Sequence, residues 1–324
     1  MLTAFTRHAD GPTKMLENLD AVSDAWVGEQ TVLWIDLAAP SEEDVRGVAG
    51  IVGLEDDVVE DCLHGEQRPR IDEFDDCFFI VVYGMLGSDE NDEIAPRKLA
   101  AVVGRRFLIT VHREPLRTIG ELRSRYMKHP SQALGHGVDF VFFTILDRMV
   151  DVYMYVAERY EERLDALEEQ SLQPAVTDAI LPQLVDLRRD LLELRRMAAS
   201  ELELLAPLAR GEFEYVSEYL AERFRHVQDH LRHVVEQVEA HRELLNSIRD
   251  NYHAVIANRM NGIMKTLTMF ATVLLPLSLV AGVYGMNLQL WPPTDHPMGF
   301  WLVLGVMVVI GTAAVIFFRS RKWL

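Results

Sequence analysis

The sequence predicts an α+β membrane protein, with an N-terminal α/β domain, long helices after it and two transmembrane helices near the C-terminus. Three observations carry this. Short runs rich in β-branched and aromatic residues alternate with helical patterns up to about residue 135. From His136 onward, apolar residues recur at steps of three and four with few breakers. Two uncharged runs close the chain, Thr266 to Thr294 (29 residues) and Met298 to Phe318 (21 residues), and each can cross ~30 Å of hydrocarbon as a helix.

The first strand candidate is TVLWIDL (Thr31 to Leu37), and the APSEEDV that follows starts a helix. Ser41 can accept from the free amides of that helix, and Glu42, Glu43 and Asp44 suit the positive end of its dipole. EDDVVEDCLH reads as a short helix. CFFIVVY (Cys77 to Tyr83) is continuously apolar between acidic clusters, as expected of a central strand. KLAAVV and FLITVH, joined by Gly104-Arg105-Arg106, read as a hairpin.

Three long helices follow. The pattern predicts one over about Val138 to Leu172, stopping before Pro174, and a second from near Pro182 to a point before Pro207. The third begins at Glu212 and contains neither Gly nor Pro up to Asn261. Its apolar row includes Phe213, Val216, Leu220, Phe224, Val227 and Leu231, with His241 interrupting it further along. Only Gly262, costing ~1 kcal/mol relative to Ala, stands between this helix and the first membrane run, so one helix of about 70 residues should continue through the bilayer. The expected division is therefore 1–135 (α/β domain), 136–211 (antiparallel helices) and 212–263 (stalk), then 264–286 and 298–318 as spans with a loop at 287–297 and a basic tail at 319–324.

Arg259 and Lys265 precede the first span, and Arg319, Arg321 and Lys322 follow the second. Basic flanks stay in the cytoplasm, so both termini should lie inside a cell (inner) membrane and the short loop outside. Neither run is N-terminal, so neither reads as a signal peptide. Residues 265–324 carry four basic side chains and one acidic, a net +3, which leaves −21 of the total −18 on residues 1–264. Such a surface repels nucleic acid and anionic lipid and attracts cations. Two cysteines, Cys62 and Cys77, make no disulfide framework and fit a reducing compartment.

One row of the first span repeats at steps of three and four: Asn261, Met264, Thr268, Ala271, Leu275, Ser278 and Gly282. Lipid has no use for Asn, Thr, Ser and Gly, so this row should face protein or water. Tight packing against another helix and a pore wall both satisfy the pattern. Amides at either end, Asn261 and Asn287, with no charge between them, favour the pore, and two spans per chain then require a symmetric oligomer. Pro276 removes one backbone bond mid-span. Mg²⁺ binds six oxygens and sheds water reluctantly, so a ring of neutral Asn carbonyls suits the hydrated ion, whereas carboxylates would hold it too tightly for release.

YGMN at the end of an apolar helix, a second span and the tail RSRKWL resemble the CorA family of divalent-cation channels. The likeness runs upstream through NGIMKTLTMFATVLLPLSLVAGVYGMN and, more loosely, EQRPRIDEF, RLDALEEQ and LRRDLLELRRM, so it covers most of the chain. It implies a funnel-shaped homopentamer in which the first span lines the pore. Gly285, Met286 and Asn287 would form the outer selectivity filter, and Asn261, Met264 and Leu267 the inner hydrophobic gate. Leu275, Ser278 and Gly282 would face the conduit between them. In the family, cytoplasmic Mg²⁺ held by acids between subunits closes the channel. Asp89 matches a position near that interface, but the facing stalk position is His226 rather than an acid. The outer loop is also poor in acid, with Asp295 alone.

The resemblance implies Mg²⁺, with Co²⁺ or Ni²⁺ as further cargo. His226, His230 and His233 share one helix face, and imidazole suits Zn²⁺, Co²⁺ or Ni²⁺, so a transition-metal site and a zinc transporter of the same superfamily stay open. Tyr284 before Gly285 fits the magnesium branch better. A membrane-tethered scaffold would match the heptad helices, but the outer loop of about ten residues leaves no sensing domain outside. No G-x-x-x-x-G-K-[ST] loop occurs, so no nucleotide is expected to drive transport. With no nucleophile–base constellation either, the chain should not be an enzyme, and His112 should be structural.

Overall fold

The computed structural model describes residues 1–8, 11–28, 30–63, 67–85, 95–130, 134–173, 179–286, 297–321 and 323. It divides into two compact units. The first contains 1–169 and 178–247, the second 248–324 with 170–177.

The first unit is built on a seven-stranded sheet. Its strands are β1 (Leu2–His8), β2 (Lys14–Leu16), β3 (Thr31–Ala38), β4 (Arg70–Glu73), β5 (Cys77–Met85), β6 (Pro96–Gly104) and β7 (Phe107–His112), in the spatial order β2-β1-β3-β7-β6-β5-β4. All neighbours are antiparallel except β3 and β7, which pair in parallel with Leu33 opposite Phe107 and Ala38 opposite His112. The expected hairpin is present, with Val103 opposite Leu108.

Helices cover both faces, which is why the inner strands are apolar at consecutive positions. On one face, Leu33, Ile35, Leu37, Phe79, Val81 and Val102 pack with residues of α1 (Leu19–Trp26), α2 (Glu42–Val52) and α3 (Asp56–Leu63). Ser41 caps α2 as expected: its side chain accepts from the Asp44 amide while the Asp44 carboxylate accepts from the Ser41 amide. Gly53, at φ 80°, closes the same helix in the left-handed region. On the other face, Trp34 stacks on Phe5 at 5.3 Å and meets Tyr126 of α4 (Arg117–Lys128) edge-on at 5.8 Å. Phe78 meets Phe142 of α5 (Val138–Ser171) at 5.6 Å.

A buried polar network ties α4 to the sheet. The Thr110 hydroxyl donates to Asp36 Oδ1 at 2.8 Å and accepts from Trp34 Nε1 at 3.1 Å. Arg123 reaches Asp36 Oδ2 at 3.4 Å, and His112 Nε2 lies 3.3 Å from Asp36 Oδ1. The other ring nitrogen, Nδ1, lies 2.7 Å from the Glu114 carbonyl oxygen.

Helices α5, α6 (Ile180–Arg210) and α7 (Glu218–Tyr284) follow. Two boundaries differ from expectation. Helix α6 does not stop before Pro207 but carries it inside the last turn, because Leu208 and Ala209 are buried and Gly211, at φ 70°, caps the helix further on. Helix α7 does not begin at Glu212, since residues 212–217 form the turn. Ser217 binds the Asp139 carboxylate through both its amide and its hydroxyl, which ends the turn there. Phe213 and Val216 are buried even so.

Glu201 of α6 is buried, and burial pushes its carboxyl up to about 8. It accepts from the Tyr83 amide at 2.6 Å, while Tyr153 of α5 donates to the Tyr83 carbonyl at 2.8 Å. These side chains satisfy β5 beyond Val81, the last residue opposite β4. In α7, Leu220, Phe224, Val227, Leu231, Val234 and Val238 form the buried row, and His241 continues it. Its ring lies 3.9 Å from the Glu161 carboxylate of α5, and burial lowers its pKa against the pull of Glu161 and Asp165.

Candidate ion-conduction site

Helix α7 is 67 residues long, about 100 Å at 1.5 Å per residue, and its second half carries no charge after Lys265. Among the described residues, this half and α8 (Pro297–Ser320) are the two helices long and apolar enough to cross a membrane.

The lining of α7 in the second unit is asymmetric. Lys265, Met269, Val273, Pro276, Leu277, Val280 and Tyr284 are partly covered. On α8 the covered positions are Gly299, Val303, Met307, Ile310, Gly311, Ala314 and Phe318. Both rows have helical spacing, as two packed helices produce. Beyond α8, Trp323 stacks on Phe318 and lies under the Lys265 ammonium, 5.7 Å from ring centroid to Nζ.

Asn261, Met264, Leu267, Thr268, Ala271, Leu275, Ser278 and Gly282 are all exposed. At 100° per residue their row is centred roughly 160–200° from the covered row of α7. Met264 is 53% exposed and Leu275 74%, so the second span leaves this face bare. Packing of this row against the other span of the same chain is therefore removed, which leaves a pore wall or a helix of another copy as what the row faces.

Two threonine hydroxyls of the span bond within the helix. Thr266 donates to the Gly262 carbonyl at 3.0 Å and Thr272 to the Thr268 carbonyl at 2.7 Å, so these hydroxyls do not seek distant partners. Pro276 sits inside the continuous helix. At the far end Gly285 still donates to the Ala281 carbonyl at 2.9 Å, and Met286 turns to the Val283 carbonyl at 3.3 Å, a tightening of the last turn. Gly285 and Met286 are exposed. Asn287 lies outside the described residues, as does Asp89.

His226, His230 and His233 are exposed on α7. Among the described residues, no group of three or more His, Cys, Asp or Glu side chains is placed to hold a metal ion, so within one chain His226 and His230 lack a third such ligand. The bare face of α7 was legible from small and polar residues. The matching face of α8 was not, because α8 is apolar all round. The Lys265–Trp323 contact had only a faint signal, an aromatic residue within a basic tail.

An α/β unit, a long helix continuing into an apolar span and a second apolar helix define the architecture of a two-span metal-ion transporter. A sequence profile of the family described as CorA-like Mg²⁺ transporter protein matches residues 29–321, and the chain belongs to that family of membrane transporters for divalent metal ions. It is similar to the cobalt/magnesium transport protein CorA of Thermotoga maritima, 28% identical over 91% of this chain and 84% of that one. It is also 26% identical to the protein of the same name from Methanocaldococcus jannaschii, over the full length of both. The complete structure of the CorA magnesium transporter from Methanocaldococcus jannaschii shares the fold, with a TM-score of 0.84 over 99% of this chain and 98% of that one.

Proposed function

We propose that the chain is the subunit of a homopentameric Mg²⁺ channel, with α7 innermost and α8 toward lipid. The single observation that supports this most is the uncovered row from Asn261 to Gly282, opposite the face that α8 occupies. From Asn261 to Gly285 the helix rises about 36 Å, enough to carry that row through the hydrocarbon. Five such rows around an axis give a conduit of neutral groups that a hydrated ion passes without being trapped.

In this reading Gly285, Met286 and Asn287 form the outer filter, where amide oxygens hold the ion through its water shell. Asn261, Met264 and Leu267 narrow the inner end, and Met264 and Leu267 can close it by excluding water. Both termini lie in the cytoplasm, with Arg259, Lys265, Arg319 and Arg321 on that side. A divalent ion entering through 100 mV gains about 4.6 kcal/mol, so no nucleotide is needed. Cytoplasmic Mg²⁺ that bridges the −21 surfaces of neighbouring copies, with Asp89 among its contacts, would hold the channel shut. Co²⁺ and Ni²⁺ are further cargo in this reading, and exposed His226 and His230 leave Zn²⁺ as the competing one.

The test is ion uptake by liposomes containing the full-length protein, with Mg²⁺, Co²⁺, Ni²⁺ and Zn²⁺ compared. Mg²⁺ uptake should be saturable, and Asn287→Ala should abolish it or its selectivity while the oligomer mass in native mass spectrometry stays that of five copies. Uptake of Zn²⁺ alone, or Mg²⁺ uptake indifferent to Asn287→Ala, would overturn the assignment.

A further inference from the structure

The first unit contains a cavity of about 1070 Å³ between the ends of β5, β6 and β7 and helix α6. It has no part in the conduction path. Its floor is apolar, with Tyr83, Pro69, Pro96, Val111, Met197 and Leu204. Around this floor stand Arg68, Lys98 and Arg113, together with His112 and with Arg196, whose guanidinium already lies 3.8 Å from the Glu193 carboxylate of its own helix. On a segment that carries −21 such a concentration of positive charge is a local inversion of sign, and a partly enclosed wall strengthens its field.

The two carboxylates in the lining do not cancel it. Glu114 is engaged by Arg97 in an ion pair. Glu203 remains, exposed on α6. Cys62 contributes a neutral thiol, since burial pushes it up to about 12. Lys98 is half-buried, its ammonium donating to Gln67 Oε1 at 2.8 Å, and burial, with Arg113 nearby, lowers its pKa against the pull of Asp61. Arg113 is oriented by a bond to the Leu63 carbonyl at 2.6 Å, which leaves further guanidinium hydrogens for another acceptor. Arg68 is exposed and makes no ion pair among the described residues.

We infer that this cavity is a binding site for a small organic phosphate monoester, its apolar body on the Tyr83–Met197 floor and its phosphate against Arg68, Lys98 and Arg113. Guanidinium groups match phosphate oxygens in pairs, and a lysine adds a point charge. The volume admits a ligand of metabolite size. No glycine-rich phosphate loop is needed, because side chains supply the donors.

Phenyl phosphate serves as the probe, added to the full-length protein in detergent and metal-free buffer, with binding read by titration calorimetry and by the shift of the melting temperature. It should bind saturably and more tightly than inorganic phosphate or phenol. Arg68→Gln and Arg113→Gln should each weaken it about tenfold or more, the loss expected for one charged hydrogen bond. Without ligand, the Arg68→Gln protein should melt as the wild type does, because that side chain is exposed and free of ion pairs among the described residues. Arg125→Gln, on the exposed basic face of α4, should leave binding unchanged. The inference is overturned by any of three results: no saturable binding at millimolar probe, equal binding of inorganic phosphate, or equal weakening by Arg125→Gln, which would mean bulk charge only. None of these bears on ion uptake, so this site and the conduction path fail or stand separately.

Discussion

Replacing Glu201 by Gln should remove a pH dependence that this one carboxyl imposes on the first unit. Glu201 is buried, and its pKa rises from the ordinary 4.5 to about 8. The folded chain therefore holds a proton that the unfolded chain releases. The stability from this group is full below about 4.5, falls as pH rises through the window and is lost above about 8. At about 1.4 kcal/mol per unit, the whole window is worth on the order of 5 kcal/mol. Glutamine keeps an acceptor for the Tyr83 amide, now 2.6 Å from a carboxyl oxygen, and cannot ionise. Thermal melting of the full-length protein by circular dichroism, at several pH values from about 5 to 9, should show wild type and variant close together at the acid end. Toward the alkaline end the variant should become the more stable by several degrees. Parallel curves across the range would refute the reasoning, because they would mean that Glu201 is ionised or solvated in the folded chain.

Other changes follow from the same packing arguments. His241 is neutral in the buried row of α7, its pKa lowered by burial, so the unfolded chain takes up a proton first as pH falls below about 6.5, and stability is lost toward acid. His241→Leu should abolish that acid-side loss and raise the melting temperature at pH 5.5, which melts at paired pH values would check. Thr110→Val should cost about 2 kcal/mol in urea unfolding, because it strands both the Trp34 N–H and part of the buried Asp36 carboxylate. A cost near zero would mean that water replaces the hydroxyl.

Much of the fold was legible because local chemistry and global packing agree. Ser41 with Asp44 three residues on marked the start of α2, and the run Cys77–Tyr83 marked an inner strand covered on both faces. Other elements gave weak signals. β2 is three residues long and β4 four, too short for a pattern, and they exist through pairing to β1 and β5. α4 reads RTIGELRSRYMK, with five charged residues in twelve, and buries only Thr118, Ile119, Leu122 and Tyr126, helped by the Arg123–Asp36 contact. Pro207 misled because burial of Leu208 and Ala209 and the capping bonds from the Gly211 and Glu212 amides outweigh the one backbone bond the proline removes. The row from Asn261 to Gly282 stood out by composition, yet only coordinates could place it opposite α8. The roles of Gly285, Met286 and Asn287 rest on resemblance to a family, since three residues at a helix end have no periodicity to read.

The central claim is that the Ser278 face of α7 borders water that carries ions, while the Val273 face is closed by α8. It is tested most directly by placing one cysteine on each face, Ser278→Cys and Val273→Cys, and treating the protein in liposomes with a charged, membrane-impermeant thiol reagent during Mg²⁺ uptake. The native thiols give little background, because burial pushes Cys62 up to about 12 and Cys77 up to about 11. Rapid modification and block of uptake for Ser278→Cys, with Val273→Cys untouched, is the expected result. Modification of Val273→Cys with Ser278→Cys inert and still conducting would contradict the account.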